Sequence, residues 1–176
     1  MEFIQTPLRG SFIIELDKHI DERGYFARTF CKKEFKKNGL PINFVQTNVS
    51  FNVKRGTIRG MHYQEEPWGE SKIVSCFAGA IYDVIIDLRP NSETFCFWFG
   101  VNLSASSDKS LFIPKGFAHG FQTLQDNTLI YYQMDEYYLP SYARGVRWND
   151  PIFNIIWPLD DITISKKDSL IPDFMK

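Results

Sequence analysis

Short apolar runs alternate with turn-forming residues along most of the chain. The runs are rich in Val, Ile, Phe and Tyr, the residue types that favour β-strands. They occupy positions 12–16, 45–51, 57–63, 73–77, 80–88, 95–103, 111–113 and 128–134. Turn signals such as Lys54-Arg55-Gly56 and Arg89-Pro90-Asn91-Ser92 separate the runs, and the chain has no regular alternation of strands with helices. This pattern predicts an all-β sandwich or barrel.

One helix is predicted before the C-terminal region, over residues 32–38. Phe35 is its single apolar anchor, and Gly39 supplies the left-handed residue that commonly ends a helix. The chain has 176 residues, of which 44% are hydrophobic. Because domains typically contain roughly 100 to 200 residues, we expect one domain over residues 1–176.

Charge and composition exclude several classes of partner. Twenty Lys and Arg residues against twenty-one Asp and Glu residues give a formal net charge of −1, so nonspecific nucleic-acid binding is not expected. No stretch approaches the ~20 apolar residues of a membrane span, and the start lacks a basic flank followed by an apolar run. We therefore expect a soluble cytoplasmic protein that binds no membrane. The three cysteines have no CxxC spacing, which argues against a disulfide framework or a zinc knuckle.

Two of the three histidines stand in motifs. His19 lies in a charged connection and is interpreted as an exposed residue without a catalytic role. His62 lies in a predicted strand, whereas His119 ends the motif Pro114-x-Gly116-x-x-His119, which fits the second metal-binding element of cupin barrels. Gln64 stands where the first element would place its second histidine. A catalytic metal site typically needs three protein ligands, so a metal-free site is favoured, with a metal-dependent cupin oxygenase as the alternative.

Without metal, a neutral imidazole is the natural general base, because its reference pKa lies close to neutral pH. Such a base needs a carboxylate to orient it and an acid on the opposite side of the substrate. Strand spacing alone does not choose among the candidates. They are Asp83, Asp87 and Asp168 for the carboxylate, and Tyr132, Tyr138 and His119 for the acid.

Five basic residues lie beside glycines or motif residues, where they are suited to bind phosphate oxygens. Arg59 and Lys72 are favoured, because they lie within or beside apolar strands where an unpaired cation would be costly. Lys115 and Arg144 are interpreted mainly as surface charges. Arg23 is left open on these grounds.

Several long motifs, in the same order, resemble those of the dTDP-4-dehydrorhamnose 3,5-epimerases, a cupin-like family of sugar-nucleotide enzymes. The resemblance extends almost from end to end. The motifs are Asp21-Glu22-Arg23-Gly24-Tyr25-Phe26, Gln46-Thr47-Asn48-Val49-Ser50, Gly56-Thr57-Ile58-Arg59-Gly60-Met61-His62-Tyr63-Gln64, Gly79-Ala80-Ile81-Tyr82-Asp83-Val84, Asp87-Leu88-Arg89, Ile113-Pro114-Lys115-Gly116-Phe117-Ala118-His119-Gly120-Phe121 and Trp148-Asn149-Asp150-Pro151. The resemblance implies a cupin-like jelly roll and an isomerase.

The resemblance also implies roles for particular residues. His62 would be the base, Asp168 would orient it and Tyr132 would be the acid. Lys72 would stabilise the oxyanion at C4 of a nucleotide-linked 4-keto-6-deoxy hexose, a reaction for which neither a metal nor another cofactor is expected. The residues implied in holding the nucleotide sugar are Arg59, Gln46, Asn48, His119 and Tyr138. Arg23 and Phe26 would reach a neighbouring subunit's site, because members of this family form homodimers that exchange N-terminal strands.

One position departs from the family's pattern. Many rhamnose-pathway members have Glu near the nucleobase where this chain has Arg28, which reverses both charge and hydrogen-bonding sense. Arg28 is therefore expected either to contact the base differently or to indicate another nucleotide. A non-catalytic sugar-binding barrel, a 3-epimerase and a 3,4-ketoisomerase are further alternatives.

The spacing of Arg59 and His62 makes a geometric prediction. The two residues have opposite strand parity, so a flat strand would direct them to opposite faces. If both belong to one site, the strand must contain a bulge or kink, and Gly60 is the residue that we expect to provide it.

Overall fold

The computed structural model describes residues 1–175; Lys176, the last position of the predicted domain, lies outside them. The strands and helices, in chain order, are β1 (Glu2–Gln5), β2 (Phe12–Glu15), β3 (Lys18–Asp21), β4 (Gly24–Ala27), α1 (Lys32–Lys37), β5 (Gln46–Asn52), β6 (Thr57–Gln64), β7 (Lys72–Ala78), β8 (Ala80–Asp87), β9 (Trp98–Ser104), β10 (Lys109–Ile113), β11 (Phe117–Thr123), β12 (Thr128–Met134), β13 (Ala143–Gly145), β14 (Thr163–Ile164) and α2 (Lys166–Ser169). Neither helix in this part of the chain is long and apolar enough to cross a membrane.

Two large sheets form the body of the protein. The first sheet has the strand order β1-β2-β10-β7-β12-β5, and the second has the order β13-β6-β11-β8-β9, with β14 also paired to β6. Neighbouring strands are antiparallel, apart from the parallel pair of β14 and β6. Strands β3 and β4 form a separate two-stranded hairpin. The fold is the predicted all-β, cupin-like architecture.

The main core lies between the two sheets. Residues on alternate positions of a strand point to opposite faces, and β7 follows this rule: Val74 packs in the main core, whereas Ile73 packs in a second cluster with Phe35 of α1. A third cluster lies against the second sheet, where Met61 and Phe153 pack together. Both sheets are thus covered on part of their outer faces.

Most predicted strands are confirmed, and α1 begins and ends within one residue of the prediction. Gly39 follows the helix with φ 71°. Strand β11 was not predicted, because it contains few β-branched or aromatic residues and includes Ala, His, Gly and Gln, although all seven of its residues are buried between β6 and β8. His19 lies in β3 rather than in a loop, although it is exposed as expected.

The predicted irregularity at Gly60 is confirmed. Along β6 and β11, His62 pairs with His119 and Arg59 pairs with Phe121, so that β6 contains one residue more than β11 between the two pairs. Gly60 has φ 123°, and a Cβ there would lie 2.8 Å from the carbonyl oxygen of His119. Only glycine fits this backbone conformation and this close approach without strain.

Candidate active site

A cavity of about 730 Å³ opens between the two sheets. Its walls come from β5, β7 and β12 of the first sheet, from β6, β11 and β13 of the second, and from the segment after β14. Nine of the predicted site residues line this cavity: Gln46, Asn48, Arg59, His62, Lys72, His119, Tyr132, Tyr138 and Asp168.

His62 and Asp168 form an imidazole–carboxylate pair at the cavity wall. Nε2 of His62 lies 2.8 Å from Oδ1 of Asp168. The His62 side chain is 45% exposed, whereas that of Asp168 is 8% exposed. The carboxylate is thus held beneath the ring, and the imidazole itself reaches the open cavity.

Local structure fixes the position of Asp168. Ser165 caps α2, and its hydroxyl oxygen accepts a hydrogen bond from the backbone N–H of Asp168 at 3.0 Å. Burial raises the pKa of Asp168, but the hydrogen bond and charge of His62, together with bonds from Gly60 and Ser165, outweigh it and lower the pKa below the ordinary value. Asp168 is therefore ionised at neutral pH and is suited to orient an imidazole and stabilise its protonated form.

Tyr132 stands on the other sheet, on β12. Its ring packs against the main core and lies 6.2 Å from the His119 ring, centroid to centroid. Burial, followed by the negative charge of Asp83, raises the pKa of the Tyr132 phenol above its ordinary value. The phenol therefore keeps its proton at neutral pH and is available as a proton donor.

Two cations predicted to bind the substrate, Lys72 and Arg59, reach the cavity, and each has a polar partner. Nζ of Lys72 lies 2.7 Å from a carboxylate oxygen of Glu70, and both side chains are largely buried. Nε of Arg59 donates a hydrogen bond of 2.7 Å to the Asn52 side chain. Both cations are thus held in place by neighbouring side chains, as expected for groups that bind developing negative charge or phosphate oxygens.

The other two candidate carboxylates have different partners. Asp83 is fully buried and its Oδ1 lies 2.7 Å from Nε2 of His119. Asp87 lies 2.7 Å from a guanidinium nitrogen of Arg89. Of the three candidate carboxylates, Asp168 is therefore the one that lies beside His62.

Gln64 lines the cavity, but its side-chain amide is bonded to backbone groups. Its amide nitrogen donates to the carbonyl oxygens of Trp68 and Tyr137, and its amide oxygen accepts from the backbone N–H of Leu139. Within residues 1–175, no group of three His, Cys, Asp or Glu side chains is arranged to hold a metal ion. The metal-free site stays a prediction, which metal analysis of the protein tests.

Three predicted residues lie away from this cavity. Arg23 is bonded to Asp21 in the turn of the β3–β4 hairpin, and Phe26 is exposed on β4. Arg28 follows the hairpin, with a guanidinium nitrogen 3.3 Å from Glu34 of α1. Within one chain, these residues do not join the residues around His62.

The cavity also contains residues that the sequence analysis did not select. Arg144, interpreted as a surface charge, has a side chain that is 42% exposed and lies 2.8 Å from the similarly exposed Glu65, and it also lines the mouth of the cavity. Lys167 and Glu70 line it as well. Arg144 reaches the site because β13 pairs with the end of β6, a long-range pairing that has no local signal in the sequence.

A cupin-like barrel whose cavity holds an imidazole–carboxylate pair and several cations is shared with enzymes that epimerise nucleotide-linked sugars, and the protein belongs to this class of isomerases. The model of the dTDP-4-dehydrorhamnose 3,5-epimerase family matches residues 5–176, and the chain belongs to this family.

Relatives support this assignment over nearly the whole chain. The dTDP-4-dehydrorhamnose 3,5-epimerase of Methanothermobacter thermautotrophicus is 48% identical over 170 residues, covering 94% of this chain and 90% of the relative. That of Shigella flexneri is 41% identical over 169 residues, covering 96% and 93%. A crystal structure of the Bacillus anthracis enzyme with TDP and PPi bound has a TM-score of 0.96 and 42% identity, covering 98% of this chain and 99% of that one.

Proposed function

We propose that the protein is a 3,5-epimerase of a dTDP-linked 4-keto-6-deoxy hexose. In such a sugar the protons at C3 and C5 are both adjacent to the C4 carbonyl. Removing either proton gives an enolate, and returning a proton to the other face inverts that carbon. The sugar is neither oxidised nor reduced overall, so the reaction needs no redox partner.

His62 is the proposed base. Its Nε2 is bonded to Asp168, which leaves Nδ1 to accept the substrate proton. The C–H electron pair forms a double bond between that carbon and C4 of the sugar. The electron pair of the C4 carbonyl moves to its oxygen, where negative charge develops. Lys72 is suited to stabilise that charge. Stabilisation of developing charge by a prepositioned group is usually the largest single contribution to catalysis.

Tyr132 is the proposed acid, because it belongs to the sheet opposite His62 and keeps its proton at neutral pH. A proton removed on one side of the sugar is then replaced from the other side. This placement of base and acid on facing sheets is the observation that carries the proposal. A binding protein would have no need of it.

The remaining cavity residues are suited to hold the nucleotide sugar. Arg59 offers a guanidinium to the diphosphate oxygens, while Gln46 and Asn48 on β5 offer amide groups. His119 and Tyr138 complete the polar lining. These roles follow from the family resemblance together with the position of the residues in one cavity.

We further propose a homodimer in which the β3–β4 hairpin reaches the partner's cavity. The hairpin pairs with neither large sheet, yet Ile20 is 78% and Phe26 is 72% exposed. Large apolar side chains are thus exposed on both faces of this hairpin, since Phe26 pairs with His19 and Ile20 with Tyr25, and such exposure is typical of an interface. Arg23 and Phe26, which lie away from the cavity of their own chain, would then contribute to a neighbouring one, and Arg28 would lie near the base.

Deuterium incorporation tests the reaction. The protein is incubated in deuterated water with thymidine-, uridine-, cytidine- and guanosine-linked 4-keto-6-deoxy sugars, and the labelled carbons are located by NMR. Label at both C3 and C5 of the thymidine-linked sugar is expected, whereas label at C3 alone would identify a 3-epimerase. His62→Ala should abolish exchange at both carbons, and near-normal exchange by this variant would refute the proposed base.

Complementation between inactive subunits tests the shared site. His62→Ala lacks the base, while Arg23→Ala combined with Phe26→Ala lacks the hairpin contacts. A heterodimer purified through two different tags should regain activity, because one of its sites receives an intact base from one chain and an intact hairpin from the other. No gain over the separate variants would show that the hairpin does not serve a neighbouring site.

A cytoplasmic location is proposed on the same family grounds. Cys31 and Cys76 are free thiols, as is usual for proteins of a reducing compartment. Cell fractionation with an antibody against the protein tests this location.

A further inference from the structure

The motif Trp148-Asn149-Asp150-Pro151 lies outside the cavity, yet its carboxylate is buried. Asp150 is 1% exposed. Its Oδ1 accepts a hydrogen bond of 2.8 Å from the backbone N–H of Ile152, and its Oδ2 accepts one of 2.6 Å from the backbone N–H of Phe174. A buried carboxylate with charge-assisted bonds to two segments is a strong local anchor.

The residues from 159 to 175, here called the C-terminal segment, carry Asp168. Before Asp168, the segment is fixed to the second sheet: the Gln122 side chain bonds both backbone groups of Leu159, and the N–H of Thr163 donates to Gly56 at 3.0 Å. After Asp168, Phe174 is held by Asp150. Asp168 thus lies between two points of attachment.

Packing connects the second attachment to the site. Ile171, between Asp168 and Phe174, lies so close to Gly145 that a Cβ on this glycine would be 2.7 Å from the Ile171 side chain. Gly145 pairs with His62 across β13 and β6. The Phe174 ring packs on Phe153, with centroids 5.4 Å apart. The end of the segment therefore rests on the strand beside His62 itself.

We propose that Asp150 is a positioning residue for epimerisation: by holding Phe174, it fixes the C-terminal segment so that Asp168 stays within hydrogen-bonding distance of His62. This inference rests on the proposed function, in which Asp168 orients the base. It gives the Trp148-Asn149-Asp150-Pro151 motif a role in the reaction, although the motif does not line the cavity.

Asp150→Asn tests the proposal. It places an amide nitrogen, which is a donor, where the backbone N–H of Phe174 needs an acceptor. We expect kcat to fall by up to about 100-fold, the size of effect that a small misplacement of a catalytic group produces. KM should change little, since Arg59 and Asn48, which are proposed to hold the nucleotide sugar, are untouched. The NMR signals of the His62 imidazole should move in the same direction as they do in Asp168→Asn.

A double-mutant cycle separates positioning from a general structural role. If Asp150 acts through Asp168, the variant with both substitutions should be no slower than Asp168→Asn alone, because coupled residues are not additive. If the two losses multiply, or if the His62 signals stay unchanged in Asp150→Asn, the proposal is overturned. A normal rate in Asp168→Asn would instead refute the proposed role of Asp168, and with it a role of Asp150 in the reaction.

Asp173→Asn is the matched control. It removes the partly exposed ion pair with Arg147 at 2.6 Å, one residue from the anchor, and such pairs contribute little. Its rate should stay within about twofold of the unmodified protein. Should Asp150→Asn fail to fold, Phe174→Pro removes the N–H donor, together with the ring that packs on Phe153, and leaves Asp150 intact, with a fall in kcat at least as large expected. A normal rate in Phe174→Pro, or loss of the fold in both variants, overturns the proposal.

Discussion

The backbones of Gly60 and Gly120 pass so closely that a Cβ on Gly60 would lie 2.5 Å from the Cα of Gly120. This contact lies at the bulge of β6, between Arg59 and His62. Because of the bulge, both side chains line one cavity. The site therefore depends on a backbone geometry that requires glycine.

Gly60→Ala is expected to lower both stability and activity. A non-glycine residue at this φ costs about 1–3 kcal/mol, and the close contact adds to that cost. Urea unfolding measures the loss of stability, and deuterium exchange measures the loss of activity. Gly39→Ala is the control, because Gly39 also has positive φ but a Cβ there would meet nothing within 4 Å. Equal effects in the two variants would contradict the role of the close contact.

Tyr132→Phe should impair inversion more than it impairs initial exchange. The variant keeps the ring and the base but lacks the proton that is returned to the opposite face. Product formation, followed by NMR, should fall by about 10²- to 10⁴-fold, while solvent deuterium still enters the recovered substrate. Tyr131→Phe is the control, because Tyr131 stacks on Phe77 at 5.1 Å and does not line the cavity. Normal inversion by Tyr132→Phe would rule out this phenol as the acid.

Lys72→Met should lower kcat by about 10²- to 10³-fold, the usual effect of removing one group that stabilises an oxyanion. The loss should appear in kcat more than in KM, because the charge on the C4 oxygen develops only as the proton leaves. Lys115→Met provides the control, since Lys115 is exposed. A variant of Lys72 with altered KM and unchanged kcat would assign this cation to substrate binding instead.

Asp87 should make the stability of the fold depend on acid pH. Burial raises the pKa of Asp87, but bonds from Arg89, Ser92 and Thr94 outweigh it, and the pKa in the folded protein is about 2. A lowered folded-state pKa contributes stability above the unfolded-state pKa near 4, and this contribution is lost as the pH falls toward 2.

The amount is roughly 2 kcal/mol at 1.4 kcal/mol per pH unit. Between pH 4 and pH 2 the free energy of unfolding of the unmodified protein should therefore fall further than that of Asp87→Asn, and the difference between the two decreases should be about 2 kcal/mol. Parallel pH profiles of the two proteins would show that Asp87 does not titrate as described.

Local patterns sufficed for much of the fold. Strands β7 and β8 are rich in Val and Ile, and these β-forming residues were sufficient to predict them. Strand β11 is buried but contains Ala, Gly, His and Gln, and β13 and β14 have only three and two residues. Such strands are defined by their partners rather than by their own sequence.

The site divides in the same way. His62 could be predicted because the chain has only three histidines and this one lies in a long motif. Lys72 could be predicted because an unpaired cation beside an apolar strand is energetically costly. Asp168 is 106 positions from His62, and only the family resemblance distinguished it from Asp83 and Asp87. The contact between residues so far apart in sequence depends on the pairing of β14 with β6, which brings the C-terminal segment to His62. No local sequence pattern predicts that pairing.

The facing sheets have a consequence for the proposed proton transfer between His62, the sugar and Tyr132. His62 and Tyr132 belong to different sheets, and packed sheets lie ~10 Å apart at a distance that the side chains between them determine. The aliphatic core, with residues such as Ile85 and Ile130, therefore acts as a spacer that sets the gap into which a sugar ring must fit. Changes in the volume of that core would tune the transfer of protons without altering any group that touches the substrate.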